Sequence, residues 1–90
     1  LDRIHVHHIL VDHEYEAKDV LRKINEGVTF EKAAGLFSKC PSGENGGDLG
    51  EIRRGQTVQE FEEAAFLLNE GEISGPVRSP FGYHLIRRVK

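Results

Sequence analysis

The sequence predicts an α+β domain in which helices pack on a small sheet. Three observations carry that prediction. Strand-forming residues are concentrated near both ends, over positions 4–11 and 83–86. Between them, apolar residues recur at helical spacing, as in Ala17, Val20, Leu21 and Ile24 and again in Phe61, Ala64, Ala65 and Leu68. Glycine and proline interrupt the chain wherever the period changes. The resulting order is βααβαββ, in one domain spanning residues 1–90.

Residues 3–11 form the first expected strand. Side chains alternate along a strand, so one face carries Ile4, Val6, His8 and Leu10 and the other His5, His7, Ile9 and Val11. Apolar residues on both faces predict a central strand, covered on both sides. Residues 14–26 predict a helix, with Glu14 four residues ahead of Lys18 and Asp19 four ahead of Lys23, the favourable order. Gly27 is its natural stop. Thr29 is the expected N-cap of a second helix, which buries Phe30, Ala33, Ala34 and Phe37. Residues 38–50, dense in glycine, are expected to be loop, followed by a short strand at 51–53. Thr57-Val58-Gln59-Glu60 has the form of a capping box and opens a third helix ending near Asn69. Gly75-Pro76 is a turn, 77–79 a short strand, and 80–82 the turn into the last strand. There His84 and Ile86 face one way, and Tyr83, Leu85 and Val89 the other.

Bulk properties narrow the class. A hydrophobic fraction of 38% and a charged fraction of 30% are those of a globular protein. No apolar run approaches the ~20 residues of a membrane helix, so no membrane insertion is expected. A net charge of -3 gives no basic face for nucleic acid. The chain begins at Leu1 rather than Met, as expected of a mature form or a domain of something longer. One cysteine excludes an internal disulfide and fits a reducing compartment, so a cytoplasmic address is expected, with a domain of an exported chaperone as the alternative.

The histidines are the first candidates for chemistry. If the first and last strands are neighbours, His8 and His84 meet on one face, either as a structural pair or as the rigid base of a site. His5 and His7 share the opposite face, with spacing that suits ligands. No carboxylate or cysteine lies near them at a recognised zinc spacing, so no metal is expected. Cys40, in the glycine-rich loop, is either a nucleophile or a pocket-lining side chain; the local signatures of cysteine proteases are absent. The run Gly43-Glu44-Asn45-Gly46-Gly47 lacks the Gly-Lys-Ser/Thr ending of a phosphate loop, and Glu44 and Asp48 would repel phosphate.

Several segments, taken together and in order, resemble the parvulin (PpiC, or rotamase) family of peptidyl-prolyl cis/trans isomerases. They are His8-Ile9-Leu10-Val11, Phe37-Ser38-Lys39-Cys40-Pro41-Ser42, Gly46-Gly47-Asp48-Leu49-Gly50, Gly55-Gln56, Phe61-Glu62, Gly71-Glu72-Ile73-Ser74, Pro76-Val77 and Phe81-Gly82-Tyr83-His84. The resemblance spans the chain. It implies an FKBP-like, four-stranded, mostly antiparallel sheet with about four helices, in which the strands of His8 and His84 are adjacent. It further implies that these histidines lie under the active site, that Cys40 stands near the substrate carbonyl, and that the Ser79 hydroxyl bonds to the histidine pair. Leu49 and Phe61 would line a proline pocket with Phe81 at its edge. The family usually has methionine where this chain has Thr57, which implies a shallower or more polar pocket and weaker activity. Asp12-His13-Glu14 stands where phosphate-directed relatives carry a basic cluster, so no phosphate preference is expected.

The implied activity is noncovalent acceleration of Xaa-Pro rotation. The implied partners are proline-containing peptides and unfolded protein segments, with no cofactor, no nucleic acid and a monomeric state. The rival reading is a weakly active peptide-binding module of a folding chaperone; a cysteine hydrolase is a third. Arg53, Arg54, Arg78 and Lys39 are either a basic rim favouring acidic residues before proline or plain solvated charges.

Overall fold

β1 (Arg3–Val11) and β4 (Gly82–Arg88) are the inner strands of a four-stranded sheet. The computed structural model describes residues 2–90; Leu1, the first residue of the expected domain, lies outside them. In chain order, β1 is followed by α1 (Glu14–Asn25), α2 (Phe30–Phe37), a 3-10 helix (Pro41–Asn45), β2 (Asp48–Arg53), α3 (Gln59–Leu67), β3 (Val77–Ser79) and β4. The sheet order is β2-β1-β4-β3 and every pairing is antiparallel. The described helices are three α-helices and the 3-10 helix, against about four helices expected.

The alternation in β1 and β4 sorts the core into two layers. On one face Ile9, Val11 and Leu85 meet Ala17 and Val20 of α1 and Phe30, Ala33 and Ala34 of α2. On the other, Ile4, Val6, Ile52 and Ile86 meet Phe61 and Ala65 of α3. Each helix therefore buries the apolar stripe that its spacing predicts. Thr29 caps α2 as expected, its hydroxyl accepting the Lys32 amide at 3.1 Å.

Two expectations fail locally. β2 starts at Asp48, inside the stretch expected to be loop. Its pairing with β1 runs from His7 opposite Asp48 to Val6 opposite Gly50, so Leu49 is an extra residue that bulges from the ladder. The bulge and Gly50, at φ +69°, let a glycine-rich segment remain paired. The capping box at Thr57 does not form either. Val58 is the N-cap of α3 and no side chain bonds at that cap. The Thr57 hydroxyl is buried and has no partner among the described residues, while Glu62 turns back to the Gly55 amide. Thr57 sits one residue too early to reach the helix amides, because it forms part of a cavity wall instead.

Candidate active site

The β1–β4 register pairs His8 with Ile86 and Leu10 with His84. The two histidines are therefore diagonal neighbours on one face. Their rings stack at 5.4 Å, and their Nδ1 atoms lie 3.1 Å apart. Ser79, at the end of β3, lies opposite Gly82, and its Oγ sits 2.6 Å from His84 Nε2. The Phe81 amide donates to the same hydroxyl at 3.1 Å. Ser79 Oγ, which can donate as well as accept a second time, is thus linked through His84 Nε2 and His84 Nδ1 to His8 Nδ1, and the tautomers of the two rings set the direction of donation along this chain. Its far end is His8 Nε2. This last atom is buried and has no partner among the described residues.

Both imidazoles are neutral at pH 7. Burial, reinforced by the neighbouring His84, lowers the His8 pKa from 6.5 to about 4. Burial lowers that of His84 as well. An uncharged, internally bonded pair makes a rigid floor without placing an ion beneath the site.

Above that floor lies a cavity of about 420 Å³, within the range of small-ligand sites. Phe61, from α3, packs edge-on against His8 at 5.6 Å and against His84 at 5.2 Å. Leu49 reaches the cavity through the β2 bulge, and Thr57 closes another part of the wall. Cys40 and the largely exposed Phe81 complete the lining from two loops. The eight residues that the family resemblance marks for the site thus meet here: seven line the cavity, and the Ser79 hydroxyl bonds to His84. Leu10, Gln56 and Val58 also line it. The signal for Leu10 was its place on the His8 face of β1. Gln56 and Val58 flank Thr57 in an irregular segment, where no period marks orientation.

The loop bearing Cys40 is tied to β1. Lys39 N–H donates to the Leu10 carbonyl at 2.7 Å, and Ser38 Oγ accepts the amides of Leu10 at 3.1 Å and Cys40 at 3.3 Å. The Ser42 hydroxyl lies 3.3 Å from Cys40 Sγ and donates to it. Among the described residues no histidine bonds to this sulfur; His84 is bonded to Ser79 and His8, and the thiol is paired with the Ser42 hydroxyl rather than with a base. The basic rim is dispersed: Lys39 pairs with Asp12 at 3.4 Å, and Arg54 lies 4.3 Å over the Phe66 ring.

The family model described as the PPIC-type PPIase domain, or rotamase, matches residues 8–90. A foldase protein PrsA from Geobacillus kaustophilus is 48% identical over 86 residues, covering 94% of this chain and 31% of that protein. The chain thus spans about a third of the length of the curated foldases it matches. Among solved structures, the parvulin of Nitrosopumilus maritimus superposes with a TM-score of 0.89 at 40% identity, covering 100% of this chain and 98% of that one. A structure described under two SurA-like chaperones of Campylobacter jejuni, the virulence factor PEB4 and the periplasmic protein Cj1289, superposes at 0.92 with 36% identity, covering 98% of this chain and 38% of that one. None of these relatives supports the cytoplasmic address expected from the lone cysteine, and a periplasmic protein stands among them. A single thiol is a weak guide to compartment, because it needs no partner in either.

Proposed function

This chain belongs to the PPIC-type peptidyl-prolyl cis/trans isomerase family, and we propose that it speeds Xaa-Pro rotation in unfolded or flexible protein segments by noncovalent stabilisation of the twisted amide. The observation that carries this reading is the neutral Ser79–His84–His8 chain beneath a mostly apolar cavity of about 420 Å³ lined by Leu49, Phe61 and Phe81. The planar amide is held by a barrier of about 18–20 kcal/mol from resonance. At the twisted geometry the C–N bond loses double-bond character and the carbonyl oxygen loses negative charge. A dry site therefore disfavours the planar form more than the twisted one. A thousandfold acceleration needs only about 4 kcal/mol of such differential stabilisation. Phe61 and Leu49 hold the proline ring, with Phe81 at the rim. His8, His84 and Ser79 keep the floor rigid and uncharged, and Cys40 sets the local dipole beside the carbonyl.

Specificity follows from the surroundings. The segment after β1 reads Asp12-His13-Glu14 rather than a basic cluster, and Asp12 pairs with Lys39 at 3.4 Å, which argues against a phosphorylated residue before proline. Unfolded, proline-containing segments are the substrates we assign, and an exported folding factor is the setting we favour, given the foldases and the periplasmic protein among the relatives.

One observation favours the second reading, a peptide-binding module with weak turnover. The Thr57 hydroxyl is buried at the cavity wall without a partner, so this wall is polar where an apolar one would grip the ring better. The experiment that separates the two is NMR exchange spectroscopy on a short Xaa-Pro peptide with substoichiometric domain. A Phe61→Ala variant, checked for folding, runs beside it, with Phe61→Leu as the milder change. Faster cis/trans exchange, lost in the folded variant, is the expected result. Peptide shift changes that only saturate, with no faster exchange, would leave the binding module in its place.

A further inference from the structure

On the face of β1 opposite the cavity, the fold assembles a cluster that no single stretch of sequence contains. His5 and His7 lie two residues apart with rings stacked at 5.6 Å, and Asp48 from β2 comes against both. His5 Nε2 is 2.7 Å from Asp48 Oδ1, and His7 Nε2 is 3.8 Å from the same oxygen. The ligand atoms of all three residues lie within 4.8 Å of one another. His7 Nδ1 lies 2.9 Å from the Gly46 carbonyl, an acceptor only, so the proton of a neutral His7 is on Nδ1. Its Nε2 lone pair then faces the Asp48 carboxylate with no proton between them. A ring held by a backbone carbonyl through one nitrogen, with the other presented bare beside a carboxylate, is the arrangement that orients a metal-binding histidine.

We propose that His5, His7 and Asp48 form a site for a divalent transition-metal ion of the zinc class. Two imidazoles and one carboxylate are ligands that such ions accept, with water completing the shell. Bonds of about 2.0–2.1 Å in tetrahedral array put neighbouring ligand atoms about 3.3 Å apart. The two histidine–carboxylate separations of 2.7 and 3.8 Å straddle that value, and the His5–His7 pair lies within 4.8 Å, so side-chain adjustment without backbone movement brings the three ligands to the ion. His5 moves its proton from Nε2 to Nδ1 to free the coordinating lone pair, and the neutral ring releases no net proton. The Gly50 amide, 2.7 Å from Asp48 Oδ1, already positions the carboxylate. His5 and Asp48 are about one-third exposed, so an ion has access. The side chain of His7 is more enclosed and packs edge-on to Phe30. The site also has a structural link to the cavity. Asp48 precedes Leu49, the bulge residue on the other face, so an ion that pins Asp48 to β1 also holds one wall of the peptide site.

The test is a titration of the folded domain with zinc chloride, read by calorimetry and by amide and imidazole NMR. The expected result is saturation at one ion per chain, with the largest shifts at His5, His7, Gly46 and Asp48. His7→Gln and Asp48→Asn should each weaken binding by about tenfold or more. His13→Gln, outside the cluster, should leave it unchanged. Absence of saturable binding would overturn the proposal. So would shifts centred on Cys40, His8 and His84, or unaltered affinity in both cluster variants. If either variant fails to fold, the shift map of the unsubstituted domain decides alone.

Discussion

His8 is the residue whose chemistry is most altered by the fold. Its folded pKa, about 4, lies below the ordinary 6.5. Between these values the unfolded chain binds the extra proton and the folded chain does not. The contribution of His8 to stability is therefore full above pH 6.5, falls as the pH drops towards 4, and levels below it. At about 1.4 kcal/mol per pH unit, the loss from this residue is about 3 kcal/mol. Urea unfolding across this range should show the decline, and the His8 ring should titrate near pH 4 by NMR; titration near 6.5 would contradict it. Thr57 calls for a different test. Thr57→Met replaces a buried unpaired hydroxyl with a flexible apolar wall, and should raise kcat/KM several-fold in the exchange assay without loss of stability. Cys40→Ser and Cys40→Asp should both keep measurable turnover, since among the described residues the thiol is bonded to the Ser42 hydroxyl and to no histidine. Complete loss in both, with the fold intact, would restore a covalent or proton-transfer role to Cys40.

At the scale of elements, two glycines allow the site strands to approach neighbouring chain closely. Gly47 (φ +82°) lies against the His8 carbonyl, and its own carbonyl accepts the His8 amide at 2.9 Å. Gly82 (φ +139°) opens β4 against the Val11 carbonyl. A Cβ at either position would overlap a backbone oxygen, which cannot swing away as a side-chain tip can. Gly47→Ala and Gly82→Ala should therefore each cost more than the about 1–2 kcal/mol of a left-handed backbone alone. Gly75→Ala, where an added Cβ meets nothing, should stay within about 0.5 kcal/mol. Chemical denaturation of the three variants provides the comparison. Equal costs at Gly75 and Gly47 would show that the close approach carries no energy.

At the scale of the whole molecule, the inner strands belong to both core layers at once. β1 sends Ile9 and Val11 to one layer and Ile4 and Val6 to the other, and β4 divides Leu85 and Ile86 in the same way. Opening either strand exposes both layers, so its amides should exchange only through unfolding that approaches the global free energy. Native-state hydrogen exchange should find the slowest amides at the centres of β1 and β4, with β3 and the ends of α3 opening earlier. If amides of α1 outlast those of β1, the sheet is not the last element to open. The same central strands carry His8 and His84 on one face and His5 and His7 on the other, so one rigid pair serves two candidate sites.

Much of this was legible in sequence because it depends on local periods. Alternation along the first and last strands put His8 and His84 on one side and His5 and His7 on the other face of β1, and the structure packs α3 against the first and α1 and α2 against the second. Helical spacing found the buried stripes of α1, α2 and α3, and the Thr29 cap could be recognised because a cap is a contact across three residues. The ordered resemblance along the chain brought the cavity residues together before any contact was known. Tertiary structure alone decided the rest. The bulge at Leu49 depends on which β1 residue faces Asp48, a partner 41 positions away along the chain (48 less 7). Thr57 satisfies the local pattern of a cap, yet packing turns it into the cavity wall, because a pattern over four residues cannot register what a third element presses against it. Asp48 joins His5 and His7 only through that strand pairing; zinc spacings counted along the chain miss ligands brought together across a sheet.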